Sequence, residues 1–279
     1  MGWFWADSGD SKPKTCPKTA SFEALQCPVN HKSVPKTSRN DKIEGCPVIH
    51  GSKPQDGLNP LNHIPANLSV EKQPHQSLDL PKDRTMSSIP KGSNPNGDFW
   101  EYPSPQQMYN AMVRKGKIDP NTGEAIPEDA VESMVFVHNF LNEGCWQEIL
   151  DWEKKYTELT NTEPKLLQFM GKPSQLSPRA RWFSVLGSLF PSKFSSEPPF
   201  DRHDWTVLRP DPSSSDAEYP GFKKVRYVID FYSGPDDEEG LPTFNLDVRP
   251  ALDDFTSAKD RFTRWTEPIF SEYFDKSQK

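Results

Sequence analysis

Three of the four cysteines stand directly before proline, as Cys16-Pro17, Cys27-Pro28 and Cys46-Pro47, and the last two extend to Cys-Pro-Val. Proline lacks an N–H and biases the preceding residue toward extended backbone, so each sulfur should project from a stiffened segment. A soft thiolate held that way is a candidate axial ligand for haem iron. The competing reading is an unstructured tail with oxidisable thiols. Spacings of eleven and nineteen residues lack the close C-x2-C pairing of a zinc knuckle, and four cysteines make a poor disulfide scaffold.

Two histidines also stand out. A predicted helix opening near Pro127 has an apolar face of Val131, Met134, Val135, His138 and Leu141. Desolvation there would favour a neutral imidazole, which suits metal or haem-iron ligation, although a histidine in such a stripe is also commonly a satisfied core residue. Glu143 could hydrogen-bond that imidazole or cap the next helix. His203 lies in the dense run Pro199-Phe200-Asp201-Arg202-His203-Asp204-Trp205, where flanking carboxylates could orient it for acid/base work or merely form a surface ion-pair cluster. The lead-in Phe99-Trp100-Glu101-Tyr102-Pro103 could line a flat ligand's pocket or pack in the core. Arg179 and Arg181 could meet acidic groups of a ligand or remain solvated.

The elements that must position these residues follow from composition. Between Ala6 and Asp98 the only aromatic residue is Phe22, and Pro, Ser, Lys and Asn dominate. Such a stretch cannot offset its ordering entropy by burial, so residues 1–97 are expected to form a disordered tail and residues 98–279 one folded domain. Ser104-Pro105 should start a helix ending near Gly116. Asn142-Glu143-Gly144 should separate the His138 helix from a third one through Cys145, Trp146, Ile149 and Tyr156, and Ser177-Pro178 should start another. Val225, Tyr227, Ile229 and Phe231, then Phe244, Leu246 and Val248, alternate as an antiparallel pair. A last amphipathic helix with Phe255, Ala258, Phe262 and Trp265 should break at Pro268. Strands grouped after helices imply an α+β fold, several helices packed with a small antiparallel sheet.

A net charge of −7 argues against nucleic acid and favours a basic partner. No apolar run approaches the roughly 20 residues needed to span a bilayer. Met1-Gly2-Trp3-Phe4-Trp5 has the glycine of a myristoylation signal but Ala6 where Ser or Thr belongs, so its aromatic triplet is at most a surface anchor.

The chain resembles the cytochrome c haem lyases, also called holocytochrome c-type synthases, of the fungal type. The resemblance rests on Glu101-Tyr102-Pro103-Ser104-Pro105-Gln106-Gln107-Met108, Val137-His138-Asn139-Phe140-Leu141-Asn142-Glu143, Ser177-Pro178-Arg179-Ala180-Arg181, the 199–205 run and Asp247-Val248-Arg249-Pro250-Ala251-Leu252-Asp253, in order across most of residues 98 to 266. It implies a lyase that takes haem b as substrate and joins its vinyl groups to the cysteines of a C-x-x-C-H motif in apocytochrome c. It implies a place in the mitochondrial intermembrane space, peripheral on the inner membrane. By the same resemblance His138 is the axial ligand to haem iron, Trp100, Tyr102, Asn139 and Glu143 support haem binding, and His203 and Arg209 belong to a second functional segment. Cys27 and Cys46 fall in motifs that assist haem traffic. His203 and Glu143 are the candidates for the acid that vinyl addition needs. The alternatives are a non-catalytic haem-delivery protein and the cytochrome c1-specific lyase.

Overall fold

The computed structural model describes residues 69–74, 76–93, 97–114, 127–173, 175–238, 240 and 242–276. Cys16, Cys27, Cys46 and the aromatic N-terminus lie outside them. The central sheet is an antiparallel meander, β3 (Lys165–Gly171), β4 (Asp201–Pro210), β5 (Phe222–Ser233) and β6 (Phe244–Pro250), each strand paired with its neighbour in sequence. A short antiparallel pair, β1 (Met86–Pro90) and β2 (Phe99–Glu101), leads into helix α1 (Pro105–Arg114). A 3-10 turn at Glu128–Ala130 runs into α2 (Val131–Thr160), and α3 (Pro178–Leu189) and α4 (Phe255–Lys276) complete the α+β fold expected.

Strand alternation gives the central sheet two unlike faces. On one, Trp205, Val207, Val225, Tyr227, Ile229, Phe231 and Val248 form a core with Cys145, Trp146 and Ile149 of α2. On the other, Asp204 takes hydrogen bonds from Lys172 at 2.7 Å and from Arg202 and Arg226 at 2.9 Å. Arg249 there binds buried Asp230, which also accepts from Ser177, the N-cap of α3. The sheet thus separates an apolar side under α2 from an ionic side under α3.

Four expectations are corrected. The folded part begins well before residue 98: Ile89 is buried, β1 pairs with β2, and Gln73 and Gln76 are held by Asn110 and Gln106 of α1. Composition undervalued this segment because it is held by amide hydrogen bonds and strand pairing more than by apolar area. Second, Asn142-Glu143-Gly144 does not interrupt α2, a continuous thirty-residue helix. A Cβ at Gly144 would lie 3.2 Å from Leu246 Cδ1, so the missing side chain lets β6 approach and tertiary contact outweighs helix propensity. Third, α4 continues through Pro268, and Phe255, Phe262 and Trp265 are exposed; the helix seats instead through Ser257 and Asp260. Fourth, β3 was not expected, because a bulge between Leu166 and Gln168 breaks the two-residue alternation.

Gly187 of α3 is a further close approach: a Cβ there would lie 2.5 Å from Ser196 N and 2.6 Å from Ser195 O. Gly187→Ala should cost about 1–3 kcal/mol, read as a lower urea midpoint; an unchanged midpoint would show that the 195–196 loop yields freely.

Candidate functional site

His138 interrupts the buried stripe of α2. It stands seven residues after Val131, three after Val135, four before Asn142, seven before Cys145 and eleven before Ile149, so helical periodicity puts all six side chains on one face. The other five are buried, whereas His138 is exposed. Val131 and Val135 pack with Leu80 and α1, while Cys145 and Ile149 pack against the sheet, and His138 falls where those two cores part.

The exposed ring has Asn139, Asn142 and Tyr102 beside it. Burial holds its pKa below the ordinary histidine value; contact with Asn139 opposes this, and the charge of His203 reinforces it. A neutral imidazole retains a lone pair for a metal. The Asn142 amide nitrogen lies 3.3 Å from both ring nitrogens and donates to the His138 carbonyl at 2.7 Å. Asn139 Oδ1 is 3.5 Å from Nδ1, and the Tyr102 ring stands edge-on with centroids 6.3 Å apart.

Glu143 ties α2 to the β1–β2 pair. Its Oε1 accepts from Ser87 Oγ at 2.7 Å, Tyr102 Oη at 2.8 Å and Ser88 N at 3.2 Å, and its Oε2 accepts from Ser88 Oγ. Burial would raise its pKa, but the hydrogen bonds from Ser88, Ser87 and Tyr102 outweigh it and hold the carboxyl below the usual range. The phenol of Tyr102 is raised, first by burial and then by Glu143. Trp100 belongs to the core: its Nε1–H donates to Leu166 O at 3.0 Å, and its ring meets Phe169 edge-on at 5.1 Å.

His203 projects from β4 on the α2 side of the sheet. Its Nε2 is 3.1 Å from Asp201 Oδ2 and its ring stands edge-on to Phe231, with Nδ1 buried and without a hydrogen-bond partner among the described residues. The electrostatic influence of His203 and Asp201 on His138 puts them at the same end of the molecule.

Arg209 lies at the opposite end. It is fully buried, binds both Glu153 oxygens through Nε at 3.0 and 2.8 Å, reaches Asp260 at 2.9 Å and stacks over Tyr156 at 3.8 Å. Burial would lower its pKa, but the hydrogen bond and charge of Glu153 raise it above the ordinary arginine value. Glu153 is fifteen residues beyond His138, about 22 Å along the helix. Arg209 is six residues beyond His203, about 20 Å along the strand. The structure therefore brings His138, Asn139, Tyr102, Glu143 and His203 to one end, leaves Trp100 in the core and sets Arg209 apart as a tie between β4, α2 and α4. A separate recess of about 320 Å³, lined by Phe183, Tyr232 and Asp247 among others, opens on the α3 side of the sheet.

Among the described residues no group of three or more His, Cys, Asp or Glu could hold a bare metal ion, and no helix is long and apolar enough to cross a membrane. A lone imidazole suits an iron whose equatorial ligands arrive with it. Cys145 is buried and free, its thiol pushed up by burial and by Glu148, so it is a poor nucleophile.

The family model described as cytochrome c/c1 heme lyase matches residues 1–265. The chain belongs to that family. It is accordingly an enzyme of the lyase class. It is 58% identical over 275 residues to the holocytochrome-c synthase of Saccharomyces cerevisiae, covering 97% of each chain. It is 33% identical to the human holocytochrome c-type synthase, over 92% of this chain and 89% of that one. A putative holocytochrome-c1 synthase of Schizosaccharomyces pombe is 38% identical over 73% of this chain and 82% of its own. No solved structure matches.

Sequence reasoning missed Ser87, Ser88 and Asn142 as members of this site, whereas of the two carboxylates flanking His203 it is Asp201 that meets the ring. Asn142 had a signal, its position one turn after His138; the serines had none, since their segment reads as tail. A carboxyl whose pKa is depressed on folding stabilises the fold fully above its unfolded value of about 4.5 and loses that contribution as pH falls through the folded value. Glu143→Gln should therefore flatten the fall in stability below pH of about 4.5 and lower the melting temperature at pH 7; an acid limb identical to wild type would show that the clamp does not form. Arg209→Leu strands Glu153 in the core and should cost about 3–5 kcal/mol by urea titration.

Proposed function

We propose that this lyase binds haem b as its substrate with His138 as axial ligand to the iron, and joins the two vinyl groups to the thiols of a C-x-x-C-H motif in apocytochrome c. The observation that carries the reading is the exposed imidazole of His138 in the otherwise buried stripe of α2, its pKa held below the ordinary histidine value. Asn142 and Tyr102 flank the ring, and Glu143 holds Tyr102 and β1 against α2. The histidine of the substrate motif takes the opposite face of the iron and sets its two cysteines beside the vinyl carbons. Positioning of this kind supplies roughly 7–11 kcal/mol of a barrier in favourable cases.

Each addition forms a C–S bond at the inner vinyl carbon and a C–H bond at the terminal one, with the thiol proton replacing the one consumed, so no oxidant enters. Of the two acid candidates, Glu143 is held as a carboxylate by its donors. His203, aligned by Asp201, is the remaining candidate for the acid. Cys27 and Cys46 assist haem traffic, outside the described residues, and Arg209 keeps the frame in which haem binds. The enzyme works in the mitochondrial intermembrane space on the inner-membrane surface, a reading that rests on the family resemblance. The higher identity to the cytochrome c synthase than to the c1 synthase favours cytochrome c as the partner.

Purification after co-expression with haem supply should give a Soret band that His138→Ala mostly loses; an unchanged band would refute the ligand assignment. His203→Gln should retain the band but form holocytochrome at least tenfold more slowly, and a variant with normal product would remove His203 from the chemistry. Replacing Cys27 and Cys46 by Ala should leave maturation largely intact, and total loss of product would place them in the reaction.

A further inference from the structure

Helix α3 presents an apolar stripe that nothing among the described residues covers. Trp182, Val185 and Leu189 are three and four residues apart and Phe190 follows, with Trp182 62% and Leu189 65% exposed. Between Pro178 and Phe194 there is no Asp or Glu, whereas Arg179, Arg181 and Lys193 are present, in a chain whose net charge is −7. The opposite side of the helix is buried, Ala180 beside the sheet and Gly187 against the 195–196 loop, so the stripe is the outer face of a packed element.

A second observation adds to it. Arg261 of α4 is half-buried and makes no hydrogen bond or ion pair among the described residues, and it lies within charge range of Arg249, Arg179 and Asp247. Arg179 and Arg249 are paired with Asp247 and Asp230, so the cation left over near the start of α3 is Arg261. The other exposed apolar groups differ in company. Phe136 and Phe140 share α2 with Glu132, Glu148 and Asp151, and Phe262 and Trp265 share α4 with Asp260 and Glu267.

We propose that α3 docks the enzyme on an anionic lipid surface, its Trp182–Leu189 stripe entering the headgroup boundary while Arg181, Lys193 and Arg261 meet lipid phosphates. An uncovered apolar stripe flanked by cations and free of acids is the chemistry of an interfacial helix. Because α3 and α2 lie on opposite faces of the central sheet, docking this way turns His138 away from the lipid and leaves it open to an incoming polypeptide. This deepens the membrane-surface reading above and rests on it.

The test uses the intact chain, purified with haem and mixed with vesicles of phosphatidylcholine alone or with phosphatidylglycerol added. Cosedimentation should require the anionic lipid, Leu189→Glu should weaken it at least tenfold, and Arg181→Ala and Lys193→Ala by about fivefold each. Phe262→Glu should change nothing. Far-UV circular dichroism and the Soret band verify that each variant is folded and loaded. Failure of wild type to bind, binding by Leu189→Glu equal to wild type, or equal loss in Phe262→Glu would overturn the proposal. So would a vesicle-independent dimer that Leu189→Glu dissolves, since the stripe would then be a protein interface. Holocytochrome formation without vesicles, measured on the same samples, tests the lyase reading separately.

Discussion

Glu143 is the point at which the site end of the molecule is held together. One carboxylate on α2 collects donors from Ser87, Ser88 and Tyr102, which lie on or next to the short strands β1 and β2. Ile89 and Trp100 anchor the 86–102 segment in the core, and Glu143 ties it to the turn that carries His138; without that carboxylate Tyr102 would lose the partner that fixes its edge-on approach to the imidazole. A carboxylate saturated in this way is stable as an anion, so it serves as an anchor rather than a proton donor.

The central sheet turns that local clamp into a directional molecule. Its apolar face receives α2, and the same strand that places Asp201 and His203 at the site end places Arg209 at the other, where it neutralises Glu153 and Asp260 in the interior. Breaking either tie leaves an uncompensated buried charge, which is why the frame tolerates little movement between α2, β4 and α4. The opposite face, with Asp204, Asp230 and Arg249, fixes the start of α3 through Ser177. The proposed haem site and the proposed lipid-docking stripe thereby fall on opposite sides of one sheet.

Much of this was legible in residue patterns. The alternation of β5 and β6, the Ser177-Pro178 start of α3 and the placement of His138 on the inner face of a helix all follow from periodicity and cap chemistry. What periodicity could not show is that His138 would be the one member of that face left uncovered, because this depends on where two separate cores end. The role of Glu143 was hidden for a related reason: its partners lie some fifty-five residues earlier in a segment whose composition reads as tail. Arg209 had no local signal, since its partners come from α2 and α4. Helix α4 misled in the opposite sense, with an aromatic stripe that faces outward.

The central claim is that the nitrogen of His138 is bound to haem iron. The most direct test exchanges the ligand type rather than removing it: the haem-loaded His138→Cys variant, examined by absorption and electron paramagnetic resonance. The account predicts that the histidine-type spectrum of the wild type gives way to a thiolate-type one. A His138→Cys spectrum that remains histidine-type would show that another residue holds the iron and would contradict the account.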